Sequence, residues 1–142
     1  MAKTVLYVDQ ASDRLTSKSY LTSLTKNALY KTLTNYNDSL RDKKGNFKGF
    51  ADTVEILTKN PIGYFDSKVI VNNTVTFKFG CDEYSLVESH EGSTSLPKDS
   101  TVTIYKNKLT STLGKPKYKS VKFQLKTDSD GFPFQGIYTF YH

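Results

Sequence analysis

Residues 68–79 read Lys-Val-Ile-Val-Asn-Asn-Thr-Val-Thr-Phe-Lys-Phe. Two runs rich in β-branched and aromatic residues, Lys68 to Val71 and Thr74 to Phe79, flank Asn72-Asn73, a pair suited to positive φ, so the stretch predicts a β-hairpin. In the second arm Val75, Phe77 and Phe79 share one face, and Thr74, Thr76 and Lys78 the other. One face belongs to a core and the other to water.

Working outward, the same β signature marks residues 3–9, 82–88, 101–106, 117–126 and 134–141. The polar loop Ser89 to Ser100, the turn from Lys108 to Pro116 and Asp128-Ser129-Asp130-Gly131 separate the later runs. Toward the N-terminus the period changes. Leu21, Leu24, Ala28, Leu29, Leu33, Tyr36 and Leu40 recur at helical spacings, which predicts an amphipathic helix from Ser19 to about Leu40. Two short strands are the alternative, because Thr22, Thr25, Thr32 and Thr34 lower helix propensity. Residues 37–49, mostly charged and turn-forming, read as an exposed surface loop or a mobile hairpin tip. Phe50, Val54 and Leu57 fit a short helix or an alternating strand, ended by Asn60-Pro61-Ile62-Gly63.

The 142 residues, 37% hydrophobic, have the length of one domain, 1–142. Together these signals predict a mainly β, α+β fold. The form expected is a small OB-like barrel or half-open sheet of five to seven strands, with one or two helices from the N-terminal third. A sandwich and a two-layer α+β arrangement compete with it.

No stretch approaches the roughly 20 apolar residues of a spanning helix, and only Val5 to Val8 follows Met1-Ala2-Lys3 as an apolar run. The expectation is a cytoplasmic protein without a membrane partner. Cys81 is the single cysteine and His90 and His142 are the histidines, so no disulfide framework or Cys/His zinc site can be assembled. Cys81 reads as a small core residue. No metal or cofactor is expected.

Catalytic signatures are lacking: there is no nucleophile elbow, HExxH helix, Walker loop or dinucleotide fingerprint. His90-Glu91 and the carboxylate pairs Asp82-Glu83 and Glu88 with Glu91 are the residual acid–base candidates, and a solvated surface explains them more simply. The chain therefore reads as a non-enzyme.

Charge is segregated. Of 20 basic residues only Arg14 and Arg41 are arginine, and the net charge is +6. Between Ser100 and Thr127 stand seven lysines and no carboxylate, whereas residues 81–99 carry Asp82, Glu83, Glu88, Glu91 and Asp99 against Lys98. Lysine, a hydrated point charge, suits a phosphate backbone better than a base edge. Aromatics interleave with it. In a strand over 117–126, Val121, Phe123 and Leu125 face the core, while Tyr118, Ser120, Lys122, Gln124 and Lys126 share the other face. A sequence-tolerant single-strand site needs such cations, and flat rings on which bases stack at about 1–3 kcal/mol each.

The expected function is therefore non-specific binding of single-stranded DNA, or RNA. Lys78, Lys106, Lys108, Lys117, Lys119, Lys122 and Lys126 neutralise phosphates, and Tyr84, Tyr105, Tyr118, Tyr138 and Tyr141 stack. Abundant Lys, Asn, Tyr and Thr with scarce Ala fits an AT-rich phage or plasmid source, and a role in replication. The alternative is a viral protein-interaction module, an inhibitor of a host enzyme or a virion component, with the 37–49 loop and Glu88 to Glu91 as contacts. Alternating Lys and Tyr is also what a soluble edge-protected sheet looks like. Phe77, Phe79, Phe123 and Phe134 read as core.

Overall fold

Period-two alternation governs this chain over longer spans than its turn signals suggest. In the computed structural model the described residues are 2–8, 32–58, 69–92, 96–131 and 133–142. They form nine strands: β1 (Lys3–Val8), β2 (Thr32–Arg41), β3 (Phe47–Thr58), β4 (Val69–Phe79), β5 (Asp82–Gly92), β6 (Thr101–Lys108), β7 (Thr110–Ser111), β8 (Ser120–Thr127) and β9 (Pro133–Tyr141). Among the described residues there is no helix.

The sheet order is β6-β8-β9-β1-β2-β3-β4-β5-β7, with every pairing antiparallel. β6 and β7 are halves of one bent strand parted by Leu109; the first half pairs with β8 and the second with β5. Taken that way, each strand lies beside its neighbour in the chain and β9 returns to β1, from Lys3 opposite Tyr141 to Val8 opposite Gly136. The result is a nearly closed up-and-down β-barrel. The expected mainly β barrel class is present, but with nine strands in place of five to seven and, among the described residues, no helix, and the sequential order differs from the five-stranded Greek key of an OB fold.

Several local expectations are corrected. The helix expected over 19–40 lies outside the described residues as far as 31, and from Thr32 onward the chain is β2. There Asp38 and Leu40 are buried while Asn37 and Arg41 are exposed, the alternation of a strand. Of the two readings of 37–49 the hairpin tip is the one found, narrowed to a turn at 42–46, because Leu40 is needed inside and Phe47 already pairs with Arg41. The Phe50 to Leu57 segment is strand, not helix. The Asn60 to Gly63 turn lies outside the described residues.

The hairpin at Asn72-Asn73 is replaced by an unbroken β4, in which Asn72 pairs with Ile56 and Ser89, and Asn73 with Glu55 and Glu88. The reversal comes instead at Gly80-Cys81, where Gly80 takes φ +63° without a side-chain penalty. Cys81 is consequently exposed at a turn and is not a core residue. β5 likewise runs on to Gly92, shortening the polar loop expected from Ser89.

The interior is aromatic. Phe77 meets Tyr138 and Phe140 edge-on at 5.3 and 5.0 Å, and Phe123 stacks on Tyr138 at 4.5 Å. Each such pair adds about 0.5–1.5 kcal/mol beyond area burial. Gly136 makes room for them, since a Cβ there would stand 3.1 Å from both Phe123 Cε1 and Val8 Cβ. Between β5 and β7 the registered ladder covers only Tyr84 opposite Ser111 and Ser85 opposite Thr110. Beyond it the Asn107 side-chain amide takes over, donating to the Val87 carbonyl at 3.3 Å and to the Glu88 carboxylate.

Candidate nucleic-acid interface

Alternation sets what the outer face of β6, β8, β9 and β1 presents. Tyr105, Val121, Phe123, Leu125, Tyr138, Phe140, Leu6 and Val8 fill the interior. Their neighbours point outward: Thr101, Thr103, Lys106 and Lys108 on β6; Ser120, Lys122, Gln124 and Lys126 on β8; Gln135, Ile137 and Tyr141 on β9, with Thr139 between them buried; Lys3, Val5 and Tyr7 on β1. A 3.3 Å hydrogen bond from Gln124 Nε2 to Thr103 Oγ1 confirms that β6 and β8 share this face. Five lysines and no carboxylate stand on these positions.

Lys106 and Lys122 are directly opposite each other in the β6–β8 register. Like charges so placed are destabilising unless an anion lies over them. Two ammonium groups also sit on exterior rings, Lys106 Nζ 5.2 Å from the Tyr141 centroid and Lys126 Nζ 5.8 Å from that of Phe134. Phe134 was expected in the core. It is the extra residue where the β8–β9 register shifts, so it leaves the inward alternation and is half-buried beside Lys126.

Lys106, Lys108, Lys122 and Lys126 thus stand on one face. Lys117 and Lys119 are exposed in the segment entering β8, where Lys119 N–H donates to the Tyr141 carbonyl at 2.8 Å. Lys78 does not join them. It lies on β4, paired 3.0 Å from the Asp52 carboxylate, whose hydrogen bond and charge hold its pKa above the ordinary lysine value.

Four of the five tyrosines expected to stack on bases are interior. Tyr84, Tyr105, Tyr118 and Tyr138 are 1%, 3%, 8% and 0% exposed, so their faces are covered by other rings. Tyr84 follows the alternation of β5, and the other three have local causes. β8 starts only at Ser120, so Tyr118 escapes its alternation and turns inward against Phe79, Tyr84 and Phe140. The backbone N–H groups of Lys117 and Tyr118 donate to the Tyr84 hydroxyl at 3.1 and 3.4 Å, fixing that entry. A bulge between Thr103 and Tyr105 sets Tyr105 against Phe123. Tyr138 is an odd number of residues from Tyr141, so only one of them can face out, and it is Tyr141.

The exterior rings are instead Tyr7, Phe134 and Tyr141, continued by Phe47 and Phe50, which meet edge-on at 4.9 Å and are 49% and 38% exposed. Arg41 links the two groups: it is opposite Tyr7 in register and its guanidinium carbon lies 6.0 Å over Phe47. Beside Tyr7 and Arg41 opens a cleft of about 640 Å³ lined also by Lys43, Phe134 and Gln135 among others. Of these residues Tyr7 is legible in the alternation of β1, whereas Phe134 depends on a register shift with no sequence mark.

Of the acid–base candidates, His90 and Glu91 have side chains outside the described ones. Asp82 and Glu83 are exposed at the start of β5, and Glu88 accepts from Asn107. Among the described residues no group of three or more His, Cys, Asp or Glu is placed to hold a metal ion, and no helix is long and apolar enough to cross a membrane. The chain matches no family model, no curated protein and no solved structure.

Proposed function

We propose that this is a non-catalytic protein that binds single-stranded nucleic acid, DNA foremost, without reading its sequence, along the outer face of β6, β8, β9 and β1. The observation that carries this reading is the facing pair Lys106 and Lys122 on a carboxylate-free surface, with Lys106 and Lys126 each seated on an exterior ring. Phosphates relieve the repulsion between the lysines, and bases stack on Tyr141, Phe134 and Tyr7 in place of the interior tyrosines. A phage or plasmid origin and a place in replication belong to the same proposal.

The test is anisotropy of a labelled poly-dT oligonucleotide titrated at several salt concentrations, with duplex of equal length beside it. Binding to the single strand is expected to weaken with salt at a logarithmic slope of about −0.7 per phosphate contacted, and duplex to bind less tightly. No binding at low salt refutes the proposal. A protein-interaction module is the second reading, favoured by exposed Phe47 in the 37–49 segment with Phe50 just beyond it, and by Val87, 75% exposed beside Glu88.

A further inference from the structure

The cleft at the end of the basic face combines three chemistries. Tyr7 and Phe134 offer aromatic surface, Gln135 an amide that donates and accepts, and Arg41 and Lys43 positive charge. Its volume of about 640 Å³ falls in the range of small-molecule sites, roughly 300–1,000 Å³. Arg41 is positioned before any ligand arrives, because one Nη1 donates to the Gly45 carbonyl at 3.2 Å while the guanidinium lies over Phe47. The fork carries further N–H donors, in the planar geometry that suits a phosphate.

Asp42 is the carboxylate on the lining, and the turn engages it. Its Oδ1 accepts from the N–H groups of Lys44 and Asn46 at 2.9 Å each, and its Oδ2 from Asn46 Nδ2 at 3.1 Å. Lys48 lies 3.9 Å from the same carboxylate. The anion-repelling group of the cleft is therefore occupied with holding the loop that carries Lys43.

Cations alone would take any small anion, and rings alone any apolar group. A flat ligand with a polar edge and an attached anion satisfies all three walls together, and that is a nucleotide. Continuity with the stripe supports the assignment: Lys126 is opposite Gln135 in register and its ammonium sits on Phe134, so a strand following β8 arrives at the cleft.

We infer that the cleft holds one nucleotide of the bound strand, its base against Tyr7 and Phe134 with Gln135 at the base edge, and its phosphate toward Arg41 and Lys43. This rests on the proposed single-strand reading and gives it an anchoring point. Titration calorimetry on the full chain at low salt tests it with thymidine 5′-monophosphate, adenosine 5′-monophosphate, ribose 5-phosphate and inorganic phosphate. Both nucleotides are expected to bind at least tenfold more tightly than ribose 5-phosphate. Gln135→Ala and Lys43→Ala, both at outward positions, each weaken them at least threefold with an unchanged melting temperature. Equal affinity for nucleotide and ribose 5-phosphate, no binding of either, or indifference to both substitutions overturns the inference. Poly-dT binding without mononucleotide binding removes the cleft and leaves the face; mononucleotide binding without poly-dT binding removes the face and leaves the cleft.

Discussion

Among the described glycines, Gly49 has the least room for a side chain. It has φ +153° where the β2–β3 register shifts, and a Cβ built there would lie 2.2 Å from the Lys78 carbonyl oxygen and 2.8 Å from Phe79 Cδ1. The oxygen is backbone and cannot swing aside, so β3 and β4 must part. Gly49→Ala is expected to cost about 3 kcal/mol or more, read from the urea midpoint; a loss below about 1 kcal/mol would show that the strands separate freely. Asp42 makes a second prediction. Donation by the Asn46 N–H, against the opposing effect of desolvation and with help from the Asn46 amide, the Lys44 N–H and Lys48, holds its carboxyl below the ordinary 3.8. A depressed folded value means that its stabilisation of the 42–46 turn is complete above the unfolded pKa and is lost as pH falls through the folded one. The Asn46 amide resonance should follow that titration, with a midpoint under 3.8. A midpoint at or above this value contradicts the hydrogen-bonded turn.

At the level of elements, the basic face and the seam each make a prediction. Lys122→Ala should reduce the salt slope of poly-dT binding by about 0.7, while Lys78→Ala, which removes a lysine already paired with Asp52, should leave the slope unchanged. Equal effects would mean that net charge, not this face, attracts the polyanion. Asn107→Leu removes both side-chain bonds between β6 and β5, leaving the Glu88 carboxylate without that donor. Hydrogen exchange should then quicken at Val87 and Asn107 before it does in β8 and β9, and uniform quickening would show that the seam is not a separate unit.

What the sequence made legible at this scale was alternation. Val75, Phe77, Val121, Phe123 and Leu125 face inward as their spacing says, and the lysines between them face out. What it hid was any step that changes parity. The bulge before Tyr105, the late start of β8 after Tyr118 and the register shift at Phe134 each move one ring to the face opposite its apparent one. Asn72-Asn73 misled for a related reason: a turn-forming pair is only permitted to turn, and strands paired on both sides overrule it. The odd spacing of Tyr138 and Tyr141 was the one available sign that both could not stack on the same ligand.

For the molecule as a whole, strands pair in sequential order, and β9 returning to β1 joins the two ends of the chain. That return is well secured: Thr4 Oγ1 and His142 Nε2 lie 3.0 Å apart, and His142 N–H donates to the Ala2 carbonyl at 3.1 Å. The Tyr138 and Phe140 rings carried by β9 touch Phe77 on the opposite wall, so losing this strand removes core as well as ladder. Urea unfolding followed by tyrosine fluorescence and by far-ultraviolet circular dichroism should give coincident transitions. Separate midpoints would divide the barrel into independent halves.

The pairing of β1 with β9 also fixes how the protein bears load. Lys3 stands opposite Tyr141, so handles attached at residues 2 and 142 grip both strands at the same end of their shared ladder. Because antiparallel hydrogen bonds lie across the strands, tension applied there opens them one pair after another, from Lys3–Tyr141 toward Val8–Gly136, and never loads the ladder in shear. Tethered by these two points, the barrel should peel like a zipper at low force.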